Sequence, residues 1–155
     1  MMVPMSSLSM TKDEREAFLA DLHVAVMSVA SDSDRPPLTV PIWYAYQPGG
    51  NLSIFTGSHR RKARKSRLIE RAGVLSLSVQ QETPPYKFVT VEGTVVQTDR
   101  PPSADQLYAI ISRYLSEEMA QGFVAEELGR ENSELVLYTI RPVRWITFDF
   151  SEDAG

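Results

Sequence analysis

The chain has 155 residues, no cysteine and a formal net charge of −4 at neutral pH. A chain of this length predicts one folded domain, and the lack of cysteine excludes disulfides, thiolate nucleophiles and cysteine-ligated zinc. Only two histidines are present, so no metal site is expected, and the acidic balance argues against a general nucleic-acid binder.

The ends of the sequence predict little packed structure. Residues 1–10 are expected to form a flexible N-terminal arm, residues 11–150 the single domain, and residues 151–155 a C-terminal tail. The start has neither the basic residues nor the apolar core of a secretory signal. No apolar run approaches the roughly 20 residues that span a bilayer. A cytoplasmic protein without membrane or nucleic-acid partners is expected.

The pattern of apolar and turn-forming residues predicts secondary structure along the chain. In order, we expect a helix over residues 11–22, strands over 23–30, 38–46 and 52–56, a basic helix within 57–71, strands over 74–80 and 88–97, helices from residue 103 and over 117–128, and strands over 134–140 and 144–150. Thr11 and Glu14 have the spacing of a capping box. Gly73 is a stop signal for the basic helix, and Gly93 marks a bulge or a close backbone approach.

The order of these elements predicts the fold class. Consecutive strands are joined mostly by tight turns, so antiparallel pairing is expected. We therefore predict a mainly β fold with short helices, closed or nearly closed into a barrel. Pro41 lacks a backbone N–H and suits an edge strand or a bulge. Trp43 and Tyr44 are neighbours on one strand, so their side chains should face opposite sides.

A basic cluster follows the strand over residues 52–56. It consists of Arg60, Arg61, Lys62, Arg64, Lys65 and Arg67. A helix N-terminus offers free N–H groups and the positive end of the helix dipole, and the hydroxyls of Thr56 and Ser58 precede it. Together these groups predict a cradle for one phosphate. The alternatives from charge alone are a solvated helix face and a nucleic-acid-binding surface.

The motifs around this cluster resemble a known family. They are Thr39-Val40-Pro41-Ile42-Trp43-Tyr44, Leu52-Ser53-Ile54-Phe55-Thr56-Gly57-Ser58 and Arg61-Lys62-Ala63, followed by the strand over residues 74–79 and by Val91-Glu92-Gly93. In this order they resemble the pyridoxamine 5′-phosphate oxidase-like family, also called the FMN-binding split barrel, which includes enzymes that use the deazaflavin F420. The resemblance implies a split antiparallel β-barrel.

The resemblance also implies a cofactor, FMN or F420, and the residues that hold it. Arg61 and Lys62 would grip its phosphate, assisted by Thr56 and Ser58. The backbone of Val40, Pro41, Ile42 and Trp43 would lie along the ring system. The implied assembly is a homodimer with the cofactor at the interface, where Gln80 would reach the site of the partner chain.

The resemblance further implies a flavoprotein oxidoreductase that transfers hydride between bound FMN or F420 and a small organic substrate. The strand over residues 38–46 has no Lys or Arg, and the sequence ends at Gly155. Pyridoxamine phosphate oxidases carry basic residues on that strand and a longer C-terminal region, so this exact activity is not expected. One alternative is a non-catalytic flavin-, F420- or haem-binding protein or sensor of the same fold. Another is a small regulatory or nucleic-acid-binding barrel. No catalytic residue is predicted.

Overall fold

The computed structural model describes residues 8–57 and 61–151, without the side chains of Arg61 and Lys62. Its elements are, in chain order, α1 (Lys12–Ala20), β1 (Ala25–Val29), β2 (Leu38–Ile42), β3 (Tyr44–Tyr46), β4 (Leu52–Gly57), α2 (Arg61–Ala72), β5 (Val74–Gln81), β6 (Lys87–Asp99), α3 (Ala104–Ile111), α4 (Glu117–Leu128) and β7 (Leu135–Asp149).

The strands form one sheet in the order β2-β1-β5-β6-β7-β4-β3. Every pair of neighbours is antiparallel, as predicted. Strands β2 and β3 stand at the two edges of this order, yet only Trp43 separates them in the chain. The sheet therefore curls until its two edges meet at Trp43. Pro41 lies in the edge strand β2, which pairs with β1 alone. Proline is tolerated there because an edge strand has no neighbour on its other side that would need the missing N–H.

The predicted helix boundaries rest on local capping, and the structure confirms them closely. The side chain of Thr11 accepts a hydrogen bond from the Glu14 backbone, and the Glu14 carboxylate accepts one from the Thr11 backbone, both at 3.2 Å. Ser103 and Gln106 form a second capping box at the start of α3. Gly73 follows α2 with φ at 70°, a conformation that favours glycine, so it ends the helix as predicted.

The prediction of one continuous strand over residues 38–46 is wrong. The segment divides at Trp43 into β2 and β3, which pair with β1 and β4 respectively. The run from Leu38 to Tyr46 favours strand throughout, so nothing local signals the break. The cause is closure of the sheet, which needs the chain to pass from one edge to the other.

The two strands predicted over residues 134–140 and 144–150 are one strand, β7. Arg141 and Pro142 suggest a turn in the sequence, but Pro142 lies opposite Gly93 at a shift in the register between β6 and β7. Val143 is the unpaired residue there, and Val96 is unpaired at a second shift. A bulge accommodates proline because the ladder is already interrupted, and the strand bends instead of ending.

Two apolar clusters lie on opposite sides of the sheet. The barrel core holds the inward residues of all seven strands together with Leu19, Leu68 and Ile69 from the helices. A smaller cluster packs α3 and α4 on the outside of β4 and β7, and Trp43 and Phe55 join it. Contacts begin before residue 11, because Leu8 is buried and the Met10 amide donates to Thr147 Oγ1.

Candidate functional site

The junction at Trp43 separates two aromatic side chains, as their adjacency predicts. Tyr44 is fully buried in the barrel core, and burial raises the pKa of its phenol to about 12. Trp43 points the other way and stacks on Tyr114, with ring centroids 4.7 Å apart and planes 7° from parallel. One side of the junction therefore belongs to the core and the other faces the helices.

Tyr114 fixes this junction through its hydroxyl group. The hydroxyl accepts a hydrogen bond from the Tyr44 amide at 3.2 Å and donates to the His23 carbonyl at 2.7 Å. Burial raises the pKa of Tyr114, so the hydroxyl keeps its proton near neutral pH. Tyr114 is not among the predicted site residues, because its spacing in the helix that starts at residue 103 is typical of an ordinary core position.

Arg113 supports the same corner from the neighbouring position. Its guanidinium donates to the carbonyls of Tyr44 and of Asp21, the latter at 2.7 Å, and it lies 4.5 Å from the centroid of the Tyr44 ring. It therefore satisfies carbonyls at the end of α1 and at the start of β3. A charged group used in this way is a structural clamp, and Arg113 does not line the pocket described next.

A pocket of about 260 Å³ opens beside Trp43. It is lined by Val24, Pro41, Ile42, Trp43 and Phe55. None of these described lining residues is charged. Phe55 in turn contacts Phe123 of α4, with ring centroids 6.3 Å apart. The predicted ring contacts Pro41, Ile42 and Trp43 thus come together in space, and Val40 packs against the barrel core one residue earlier.

The predicted phosphate cradle lies where β4 leads to α2. Thr56 is buried, and its hydroxyl is 3.5 Å from the Gly57 carbonyl. Ser58 lies outside the described residues, and the backbone of α2 begins at Arg61 and Lys62. The first turn of α2 has no acidic residue, whereas those of α1, α3 and α4 all have one or two. The fold therefore leaves this positive helix end without the usual carboxylate, which suits an external anion.

Polar side-chain contacts with the neighbouring loops help to hold α2 in place. Arg67 forms an ion pair with Asp32, and Arg71 donates to the Ser31 carbonyl at 3.3 Å. Near the end of the helix, Glu70 accepts two hydrogen bonds from Arg100, at 2.9 and 3.1 Å. Part of the basic cluster thus secures the loop between β1 and β2. This separates Arg67 from Arg61 and Lys62, although the sequence presents them as one run.

A second network reaches from Glu70 into the barrel. The Tyr138 hydroxyl donates to Glu70 at 2.9 Å, and the Tyr138 ring is fully buried. The hydrogen bonds from Arg100, together with that from Tyr138, hold the pKa of the Glu70 carboxyl below its usual range. Burial raises the pKa of the Tyr138 phenol. No local pattern predicts this network, because its members come from three distant parts of the chain: α2, the loop after β6, and β7.

Gln80 lies on the outer face of the sheet. It is exposed on β5 and is paired with Phe88. On the same face, a row of paired residues crosses four strands: Val26, Ser78, Thr90 and Ile146. Val26 and Ile146 are 41% and 49% exposed. We call these four residues the outer row; its apolar ends face solvent in the single chain.

Within residues 8–57 and 61–151, no group of three or more His, Asp or Glu side chains is placed to hold a metal ion. No helix in those ranges has both the length and the apolar character needed to cross a bilayer.

Comparison with known proteins gives a fold and no close relative. No family model matches the sequence, and no curated protein matches it either. Among solved structures, an F420 reductase has a TM-score of 0.65 at 20% sequence identity. The match covers 84% of this chain and 94% of the reductase chain. An FAD-binding protein from Mesorhizobium loti has a TM-score of 0.57 at 18% identity, with 90% and 93% covered.

A third solved structure has a different role. The heme storage protein HutZ from Vibrio cholerae has a TM-score of 0.58 at 12% identity, with 90% of this chain and 92% of that chain covered. These likenesses, with the seven antiparallel strands and four short helices, confirm the predicted split-barrel fold. Since each identity is 20% or less, they carry the fold alone.

Proposed function

We propose that this chain is an oxidoreductase that binds FMN or F420 and passes hydride between it and a small organic substrate. The observation that carries the proposal is the corner between β4 and α2. There, a helix N-terminus without an acidic residue follows Thr56 and Gly57 and begins with Arg61 and Lys62. Such a corner attracts a phosphate through backbone N–H groups, the helix dipole and two cationic side chains.

The neighbouring edge of the sheet suits the ring system. Val40 to Ile42 belong to the edge strand β2, and Pro41 is exposed and has no N–H to leave unpaired. A flat ring that lies on Pro41 therefore leaves no N–H of that residue without a partner. Bound flavin or deazaflavin supplies the redox chemistry, whereas the protein holds and orients it and excludes water.

Both cofactors offer a phosphate and a ring, so the fit of these residues does not distinguish FMN from F420. Titration of the purified protein with each cofactor, followed by absorbance and fluorescence, distinguishes them. Saturable binding of one at micromolar concentration is expected. Failure to bind either would contradict the proposal.

The phosphate site has a direct test. Arg61→Ala and Lys62→Ala should each weaken binding by about 1.5–3 kcal/mol, roughly ten- to a hundredfold in Kd, because each removes a charged hydrogen-bond donor. Arg71→Ala is the matched control, because it removes the same charge at the other end of α2. Equal losses in all three variants would indicate a general charge effect instead of a phosphate site.

The assembly we propose is a homodimer, with the second copy on the outer face of the sheet. The exposed apolar ends of the outer row favour burial against another protein surface. Glu92 and Arg144 lie on the same face, 3.7 Å apart. A twofold axis can place each of them near its opposite charge on the partner. Gln80 is on this face, consistent with its proposed reach toward the partner's cofactor.

The second candidate function is binding without turnover, as in a carrier, a sensor or a haem-handling protein. Its support is the similarity to a heme storage protein together with the absence of a predicted catalytic side chain. Reoxidation of the reduced, cofactor-loaded protein by organic acceptors separates the two functions. Multiple turnovers support the oxidoreductase. Tight binding of cofactor or haem with no turnover supports the alternative.

A further inference from the structure

We infer that His23 is a pH-sensitive lock on the junction at Trp43, and that a proton on its buried ring nitrogen releases the turn between α1 and β1. His23 lies in that turn. Its carbonyl accepts the hydrogen bond from the Tyr114 hydroxyl, and the Tyr114 ring supports Trp43. The position of the turn and the packing of the junction therefore depend on each other. The lock requires no cofactor, so it does not rest on the proposed function.

The imidazole ring of His23 is placed to stay neutral. It packs on the Phe18 side chain, with ring centroids 4.4 Å apart. Its Nε2 atom is buried and has no hydrogen-bond partner within the described residues. A neutral ring can carry its proton on Nδ1 and leave only a lone pair at Nε2, whereas a protonated ring would bury a charged N–H there without an acceptor.

The groups around the ring act in opposite directions on its charge. The Asp21 carboxylate and the Phe18 carbonyl favour the protonated ring, but Asp21 is exposed and its carboxylate already accepts from the Leu22 amide at 2.9 Å. Arg113 opposes protonation, and its guanidinium is held at this corner by the Asp21 carbonyl at 2.7 Å. Burial has the largest influence. Together with Arg113, it lowers the pKa of His23 below the ordinary value of 6.5.

The other ionisable groups of this corner do not change charge in the same pH range. Burial raises the pKa of Tyr44 to about 12 and also raises that of Tyr114, so both phenols stay neutral near pH 7. The carbonyls at the end of α1, which would attract a second cation, already accept from Arg113. Among the charged groups named here, Asp21 alone attracts an imidazolium, and Asp21 is itself exposed.

Protonation therefore favours an outward movement of the turn. An imidazolium regains its hydration and moves away from Arg113 when the turn swings toward solvent, where Leu22 and Val24 are already 58% and 50% exposed. This movement draws the His23 carbonyl away from the Tyr114 hydroxyl, which loses one of its partners. The ring that supports the junction is then no longer fixed.

Release of the turn also reaches the pocket beside the junction. Val24 follows His23 directly and lines that pocket together with Trp43. The locked ring has a lowered pKa, whereas the released, hydrated ring has the ordinary one, so the released form binds the proton more tightly. The locked form is therefore favoured above pH 6.5, and the released form gains as the pH falls below that value.

The first test reads the protonation of His23 directly. His23 and His59 are the only histidines, so His59→Gln leaves one imidazole to observe by NMR. Its ring protons should titrate with a pKa below 6.5, and a pKa at or above 6.5 would overturn the inference. Phe18→Leu in the same background removes part of the apolar cover and should move the pKa toward 6.5. An unchanged pKa in that variant would contradict burial as the cause.

The second test reads the release at the junction. Trp43 and Trp145 are the only tryptophans, so Trp145→Phe leaves Trp43 as the sole indole reporter. As the pH is lowered from about 8 to about 5, its emission should shift to longer wavelength, because the indole loses its stack and meets water. Far-UV circular dichroism should stay constant over that range, since only the junction opens.

Further variants assign the emission shift to His23. Added to Trp145→Phe, His23→Gln should abolish the shift because a carboxamide does not titrate, and His59→Gln is the matched control that should retain it. A shift that persists in His23→Gln would contradict the lock. So would a joint loss of the circular dichroism signal, which marks global unfolding. If His23→Gln does not fold, Phe18→Leu decides, because its Trp43 transition should move to higher pH together with the pKa of the ring.

Discussion

At the scale of single residues, the hydroxyl of Tyr114 connects parts of the chain that are distant in sequence. It satisfies the Tyr44 amide and the His23 carbonyl while its ring supports Trp43. Tyr114→Phe removes one oxygen and leaves a half-buried donor and a half-buried acceptor without a partner. We expect a loss of about 1–2 kcal/mol in the free energy of unfolding, measured by urea denaturation.

The control for that substitution is Tyr86→Phe, on a ring that is 56% exposed. A surface change of this kind should stay within about 0.5 kcal/mol. If Tyr114→Phe and Tyr86→Phe lose the same free energy of unfolding, the hydrogen bonds of the Tyr114 hydroxyl do not stabilise the junction.

Glu70 predicts a dependence of stability on pH. The hydrogen bonds from Arg100 hold its pKa below the usual range in the folded protein, whereas the unfolded chain has the ordinary value of about 4.3. The unfolded state therefore binds more protons as the pH falls below that value. The stabilisation is present above about pH 4.3 and is lost as the pH falls through the folded pKa.

The comparison of wild type with Glu70→Gln tests this linkage. At pH 7 the variant should be the less stable protein, and the difference should shrink in acid below about pH 4.3. Glu82→Gln, on the exposed turn before β6, is the matched control, and as a surface substitution it should change the free energy of unfolding by no more than about 0.5 kcal/mol. A difference that stays constant down to pH 3 would show that the carboxylate charge is not the cause.

At the scale of elements, the paired bulges of β6 and β7 require glycine at one position. A Cβ on Gly93 would stand 2.4 Å from Ile140 Cγ2 and 3.0 Å from the Arg141 carbonyl oxygen. Gly93→Ala should therefore cost about 1–3 kcal/mol of stability through overpacking. Thermal unfolding followed by circular dichroism measures the effect.

Gly122 offers the opposite result from the same substitution. It lies within α4, and a Cβ there meets nothing within 4 Å. Gly122→Ala should raise stability by about 0.5–1 kcal/mol, because alanine favours helix and restricts the unfolded chain. If Gly93→Ala and Gly122→Ala were destabilised by the same amount, the close contacts at the bulge would not explain the effect at Gly93.

The same elements show what sequence patterns can predict. The capping boxes at Thr11 and Ser103 and the stop at Gly73 are local, so the helix limits follow from neighbouring residues. The break at Trp43 and the continuity of β7 through Pro142 depend on which strands lie opposite, and no local pattern carries that information. For the same reason the sequence carries no signal for the stacking of Tyr114 on Trp43 or for the hydrogen bond from Tyr138 to Glu70.

At the scale of the whole molecule, the outer row predicts the state of association. Val26→Glu combined with Ile146→Glu should convert the proposed dimer into monomers, because four carboxylates would be buried in the interface. Analytical ultracentrifugation measures the mass. Met119→Glu is the control, since Met119 is 59% exposed on α4 and away from the outer row. If the wild-type protein sediments as a monomer, the proposed dimer interface is contradicted.

The position of β7 between β6 and β4 also has a consequence for the order in which the strands form. The hairpins β1–β2, β3–β4 and β5–β6 join nearby parts of the chain and can form early. The pairing of β4 with β7, in which Gly57 lies opposite Leu135, instead joins residues separated by about half of the sequence. Contacts of such high contact order form slowly, since a long loop must close first. Until β7 inserts between β6 and β4, both strands expose an unpaired edge. A nascent chain in which β7 (Leu135–Asp149) has not yet been synthesised is therefore the species most prone to aggregation.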